Sequence, residues 1–340
     1  MKTMKQTRKG FLAGALAAAG LGTVSGKGKA DAKAKSDLGK LKVLPDGRYD
    51  SHVHVAPGEP DPARLVKSFG EAGLAGGCIF SEDPNRFPND IRQPHDPEKA
   101  IDAVIAWASG SPTIYPFYWI DPARPDACDL VDLAIEKGVY GFKVIRSQGR
   151  PCDEKSMPVY AKIAKYGKPL TFHTGILWDG RASSDNFRPA NWEPLLDIPY
   201  LRFALAHVSW PWCDECIAVF GKLLNAIGAR GEKVPEMFID TTPGTPEIYR
   251  REVLTKVYAV GYDVHDHVMF GTDGTVNRYN TAWAKKWMGV DDAVYAELKL
   301  SARQIDANYR TALQRYLFGG DNSGRKIPTP DDLEATQVVK

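Results

Sequence analysis

Cysteine is scarce in this 340-residue chain: five residues, an odd number too small for a disulfide scaffold. No long apolar run is present, since the weakly hydrophobic stretch from Phe11 to Val24 falls short of the roughly 20 residues a membrane-spanning helix needs. Charge of one sign is lacking too: 44 basic residues face 42 acidic ones, and the surplus belongs to the N-terminal lysines, which excludes a nucleic-acid partner. No Gly-rich dinucleotide or phosphate loop follows the first strand-like run, which argues against a doubly wound open sheet. Internal repeats are not evident, and nothing between Leu44 and Gly319 reads as an interdomain linker.

What is present begins with a basic stretch (Lys2, Lys5, Arg8, Lys9), then small apolar residues, then polar ones. That order is an export signal over residues 1–34, with Ala30-Asp31-Ala32 or Ala32-Lys33-Ala34 as the cleavage site. Thr7-Arg8-Lys9-Gly10-Phe11-Leu12 resembles a twin-arginine leader with lysine in the second arginine position, so a periplasmic or extracellular location is expected, with no transmembrane segment in the mature protein. From Lys27 to Lys42 lysine alternates with Ala, Gly and Asp and offers almost nothing apolar to bury, so residues 35–44 read as a flexible linker. One domain is expected over 45–319, followed by a polar, Pro-bearing tail over 320–340.

Within that domain short β-rich runs alternate with amphipathic helical patterns. Strands are expected at Arg48–Val55, Gly76–Ser81, Thr113–Ile120, Tyr140–Ile145, Leu170–His173, Arg202–Val208, Met237–Thr241 and Val268–Gly271. Helices are expected at Pro62–Ala72, Pro97–Ala108, Ala127–Lys137, Met157–Tyr166, Cys213–Ile227 and Pro246–Val260, then Ala282–Met288 and, capped by Ser301, Ala302–Phe318. Strand–helix alternation implies a parallel sheet, and eight units close into an α/β fold of the (β/α)8 TIM-barrel class. Cys213-x-x-Cys216 has no second pair to complete a zinc site and reads as helix packing or a local bridge.

In such a barrel the chemistry sits at the carboxyl ends of the strands. His52 and His54, one residue apart on the first strand, project from the same face and can reach one metal ion. Lys143 ends the fourth strand, His173 the fifth, His207 the sixth, and Asp273 follows the eighth. Four of the seven histidines thus fall at one end, which scattered packing histidines would not do. His265 and His267, before the eighth strand, belong to the opposite end and read as surface residues. His95 reads as a helix-entry residue, while Glu82 and Asp83 stand at the site edge.

The ordered set His52-x-His54, Lys143, His173, His207 and Asp273, within Tyr49 to Phe318, resembles the amidohydrolase superfamily, in the amidohydrolase-related branch that includes aminocarboxymuconate semialdehyde decarboxylase-like proteins. The resemblance implies that His52, His54, His173 and Asp273 ligate a divalent metal, zinc by preference and one ion rather than two. It implies that His207 binds a second metal or faces the reacting group, and that Lys143 is a carboxylated ligand or a substrate-facing cation. A divalent ion so held lowers the pKa of bound water to about 7, Asp273 can take and return the proton, and His207 can help polarise the carbonyl under attack.

Arg146, Arg181, Trp178 and Trp210, in loops beyond these strands, are the expected substrate-binding residues, arginine for carboxylates and tryptophan for flat rings. A small-molecule partner that bears a carboxylate is therefore expected; homo-oligomerisation is left open. Hydrolysis of a lactone, ester or amide is the preferred reaction. Decarboxylation of an unsaturated or aromatic acid is the alternative, and a noncatalytic exported binding protein the third reading.

Overall fold

The structure is a computed structural model that describes residues 40–84, 95–145, 149–231 and 233–319. The expected export leader, residues 35–39 of the expected linker, Arg146 and the tail over 320–340 lie outside the described residues.

The apolar runs become parallel strands paired in chain order: β1 (Arg48–His54), β2 (Leu74–Phe80), β3 (Ile114–Trp119), β4 (Gly141–Val144), β5 (Leu170–Phe172), β6 (Arg202–Leu205), β7 (Glu236–Asp240) and β8 (Val268–Met269). The eighth strand is divided. Its first piece pairs with β7, while β9 (Gly274–Thr275) pairs with β1. Between the pieces, Ser51 N donates to Phe270 O (2.9 Å) and Asp273 N to His52 O (3.0 Å), which closes the ring. The expected (β/α)8 barrel is thus formed.

Helices cover the outside: α1 (Pro62–Ala72), α2 (Pro97–Ala108), α3 (Ala127–Lys137), α4 (Met157–Lys165), α5 (Cys213–Arg230), α6 (Glu247–Ala259), α7 (Thr281–Glu297), α8 (Ala302–Asp306) and α9 (Ala312–Phe318). Local chemistry sets their starts. Asp61 and Asp96 accept the N–H of Arg64 and Lys99 ahead of Pro62 and Pro97 at the first helical position. Ser301 and Gln304 form a reciprocal capping box.

Four expectations change. The sixth strand stops at Leu205, and residues 206–209 form a tight 3-10 turn with His207, Val208 and Ser209 at φ of 63°, 44° and 56°. The helix after β9 is longer than its apolar pattern suggests, because Asn280 caps it by accepting Trp283 N–H and its buried face continues to Tyr295. The last helix is broken by a π-helical turn at Ala307–Thr311, where the Asn308 carbonyl leaves the ladder to accept Phe270 N–H (3.0 Å). His267 is not a surface residue: it packs on Phe220 and Phe238 and bonds Glu236 at 2.9 Å, while His265 stacks on Tyr258. Cys213 and Cys216 are unbridged and buried on α5, in accord with packing.

The amino end of the barrel is plugged by Leu44, Tyr115, Phe117, Phe238, Tyr316 and Leu317, so the end of the expected flexible linker, with Lys40 and Leu44 buried, is packed into the domain instead. Burying each such side chain stabilises the fold by about 1.5–3 kcal/mol. The seal leaves the carboxyl end as the accessible mouth. No helix among the described residues is long and apolar enough to cross a membrane.

Candidate active site

A cleft of about 510 Å³ opens at the carboxyl end. His52, His54, Lys143, His173, His207 and Asp273, contributed by β1, β4 and the segments just after β5, β6 and β8, all face it. His52 Nε2 lies 3.1 Å from His54 Nε2 and 3.5 Å from Asp273 Oδ1, and His54 Nε2 lies 3.1 Å from the same oxygen. Three donor atoms therefore converge on one point. His173 stands farther off, its ring 5.0 Å from that of His207, and its buried Nε2 has no hydrogen-bond partner. Clustered imidazole nitrogens, one of them orphaned, beside a carboxylate form a donor set that fits a divalent ion.

Local backbone geometry aims these groups. His207 and Asp273 both have left-handed φ, 63° and 56°, a conformation uncommon outside glycine that Asp and His adopt more readily than most. The His207 turn is held by Thr245 Oγ1 and Trp210 N, which both donate to His207 O (3.1 and 3.0 Å). Asp273 is placed by Asp50, a buried carboxylate that accepts from Thr272 N, Thr272 Oγ1 and Tyr279 OH at 2.9, 2.6 and 2.7 Å. Gly271 permits the contact of β8 with β1: a Cβ there would lie 2.9 Å from His52 Cβ.

Electrostatics favours the neutral forms of His52, His173 and His207 and an ionised Asp273. Burial, then the neighbouring Lys143, pushes His52 well below the ordinary histidine range, and burial, then His207, does the same to His173. Burial also lowers His207. On Asp273 burial acts upward, but the His54 hydrogen bond and the surrounding imidazoles outweigh it and hold the carboxylate well below its usual range. Lys143 is fully buried over the Phe80 ring, its Nζ 3.3 Å from His52 Nε2, and desolvation brings it down to about 8.

The loop residues divide. Trp178 stands at the cleft edge, 74% exposed, Trp119, Leu177 and Val55 add apolar wall, and Glu82 and Asp83 also line the cleft. Trp210 does not line the cleft, because the turn at residues 206–209 carries it outward onto Tyr249 (6.0 Å). Arg181 does not line it either: its backbone N–H is held by Asp179 (3.1 Å), and its side chain is exposed. Sequence reasoning missed Asp240 and Thr242 at the end of β7. Asp240 Oδ2 sits 2.6 Å from His52 Nδ1, and Thr242 Oγ1 2.9 Å from His207 Nδ1. Acid and hydroxyl groups closing an expected strand were the available signal.

A parallel barrel with histidines and an aspartate gathered at its carboxyl mouth defines a metal-dependent enzyme class. The sequence profile of the family described as Amidohydrolase matches residues 49–320, and the chain belongs to that family. No curated protein matches the chain. Among solved structures, 5-carboxyvanillate decarboxylase from Novosphingobium aromaticivorans, complexed with manganese and 4-hydroxy-3-methoxy-5-nitrobenzoic acid, is similar at a TM-score of 0.53 and 13% identity, over 83% of this chain and 97% of that one. A probable 2-pyrone-4,6-dicarboxylic acid hydrolase from Acinetobacter baumannii, with citric acid bound, is similar at 0.51 and 9%, over 80% and 99%. Dihydroorotase from Campylobacter jejuni is similar at 0.50 and 12%, over 82% and 85%. At these identities the likeness is one of fold.

Proposed function

We propose that the chain is an exported metal-dependent hydrolase that opens a lactone, ester or amide bond in a small carboxylate-bearing molecule. The observation that carries this is the convergence of His52, His54 and Asp273 donors beneath an apolar-walled cleft. These residues with His173 would hold one zinc ion, which when bound supplies a Lewis acid and lowers the pKa of water from 15.7 to about 7. Asp273, ionised and at the open edge, takes the proton of the attacking water and returns it to the leaving group. His207 faces the reacting group. Lys143 offers a buried cation to a substrate oxygen, and Trp119 and Trp178 wall off water on the apolar side. The leader supports twin-arginine export to the periplasm or beyond.

The same apolar wall favours a second reading. A carboxylate seated there loses hydration, which eases loss of carbon dioxide. Purified protein should carry about one divalent ion per chain and convert lactones, esters or amides to acid products. Asp273-dependent carbon dioxide release from aromatic acids would replace hydrolysis with decarboxylation. Absence of metal, with His54→Ala changing nothing, would leave only the binding-protein reading.

A further inference from the structure

A histidine ligates a metal or accepts a proton through the ring nitrogen that lacks one, and donates through the other, so the partner of one nitrogen decides what the second can do. For His52 that partner is Asp240, with Nδ1 2.6 Å from Oδ2 and both side chains buried. For His207 it is Thr242, at 2.9 Å. The two partners are themselves joined: Thr242 N donates to Asp240 Oδ1 at 2.8 Å, which sets the Thr242 side chain beside the same carboxylate.

A carboxylate only accepts, so the proton between His52 and Asp240 sits on Nδ1. The carboxylate is also the strongest acceptor near the Thr242 hydroxyl. A hydroxyl turned toward it leaves an oxygen lone pair for a proton on His207 Nδ1. We propose that Asp240 is a positioning residue that sets the tautomer of both histidines, His52 directly and His207 through Thr242, so that both rings present a bare Nε2 to the cleft. His207 then accepts a proton or ligates; it does not donate to a carbonyl oxygen, the polarising part that the sequence suggested.

The end of β7 is braced for this. The Thr241 carbonyl accepts from Arg250, whose guanidinium forks onto Asp291 with two bonds of 2.7 Å, all three residues buried. Gly244 makes room for the His207 ring, since a Cβ there would lie 2.7 Å from His207 Cβ. What the bare nitrogens do rests on the functional reading above, but the tautomers belong to the protein alone.

The test is long-range proton–nitrogen correlation on the full chain with 15N-labelled histidine. His52 and His207 should both carry the proton on Nδ1. Thr242→Val should disturb His207 alone. Asp240→Asn should disturb both rings and weaken zinc binding by about 10–100-fold in competition with a chromophoric chelator, with part recovered in Asp240→Glu. A proton on Nε2 of either ring in the wild type, or unchanged rings in Asp240→Asn, would overturn the proposal. Correct tautomers in a chain that binds no zinc would leave it standing and sink the metalloenzyme reading instead.

Discussion

Both ends of the barrel bury histidine, acid and base, yet they use them in opposite ways. At the amino end Arg202 donates to the carbonyls of Gly167, Tyr316 and Leu317, and Glu236 joins Arg315 to His267. Both arginines meet an acceptor at hand, although Arg315 Nη1 and His267 Nδ1 have no hydrogen-bond partner. At the carboxyl end two Nε2 atoms face each other at 3.1 Å, and His173 Nε2 has no partner. Nitrogens crowded together beside one carboxylate call for a cation from outside the chain. The lesson is that residue type does not distinguish a structural cluster from a reactive one; the direction of the unshared electron pairs does.

Substitutions at the two ends should therefore separate activity from stability. The largest effect is expected at the mouth: Asp273→Asn should lower turnover about 10²–10⁴-fold while leaving the thermal melt near that of the wild type. An equal loss of stability would erase the contrast. Next is the brace behind the site. Asp291→Ala leaves Arg250 buried without its partner and should cost about 3–5 kcal/mol in denaturant unfolding.

Glu236 sharpens the other side of the comparison. Burial alone would raise its pKa, but His267 and Arg315 outweigh that and bring it from the ordinary 4.5 down to about 2. A depressed carboxylate contributes stability above the unfolded value and loses it as pH falls through the folded one. The contribution, about 3 kcal/mol, should be complete above pH 4.5 and vanish toward pH 2. Melting curves of wild type and Glu236→Gln should thus differ most near neutrality and converge in acid. The smallest effect on folding is expected for Trp178→Ala, within about 0.5 kcal/mol, because the ring is exposed; a raised KM with little change in kcat would mark it as substrate wall.

The barrel and most of its mouth were legible from sequence because they are local patterns. His52-x-His54 needs only strand periodicity, and Lys143, His173, His207 and Asp273 need only the ends of apolar runs. What escaped depends on long-range pairing. Asp240 acquires its part from His52, 188 positions away, and Arg250 from Asp291, 41 positions on; neither leaves a local signature. Trp210 and His267 were misplaced because a left-handed turn and a hydrogen bond to the partly buried Glu236 redirected them.

The account stands or falls on the cage at the mouth. Elemental analysis of purified wild type and His54→Ala should find about one divalent ion per wild-type chain and a much lower content in the variant. A wild type without stoichiometric metal, or a variant that retains it in full, would contradict the account.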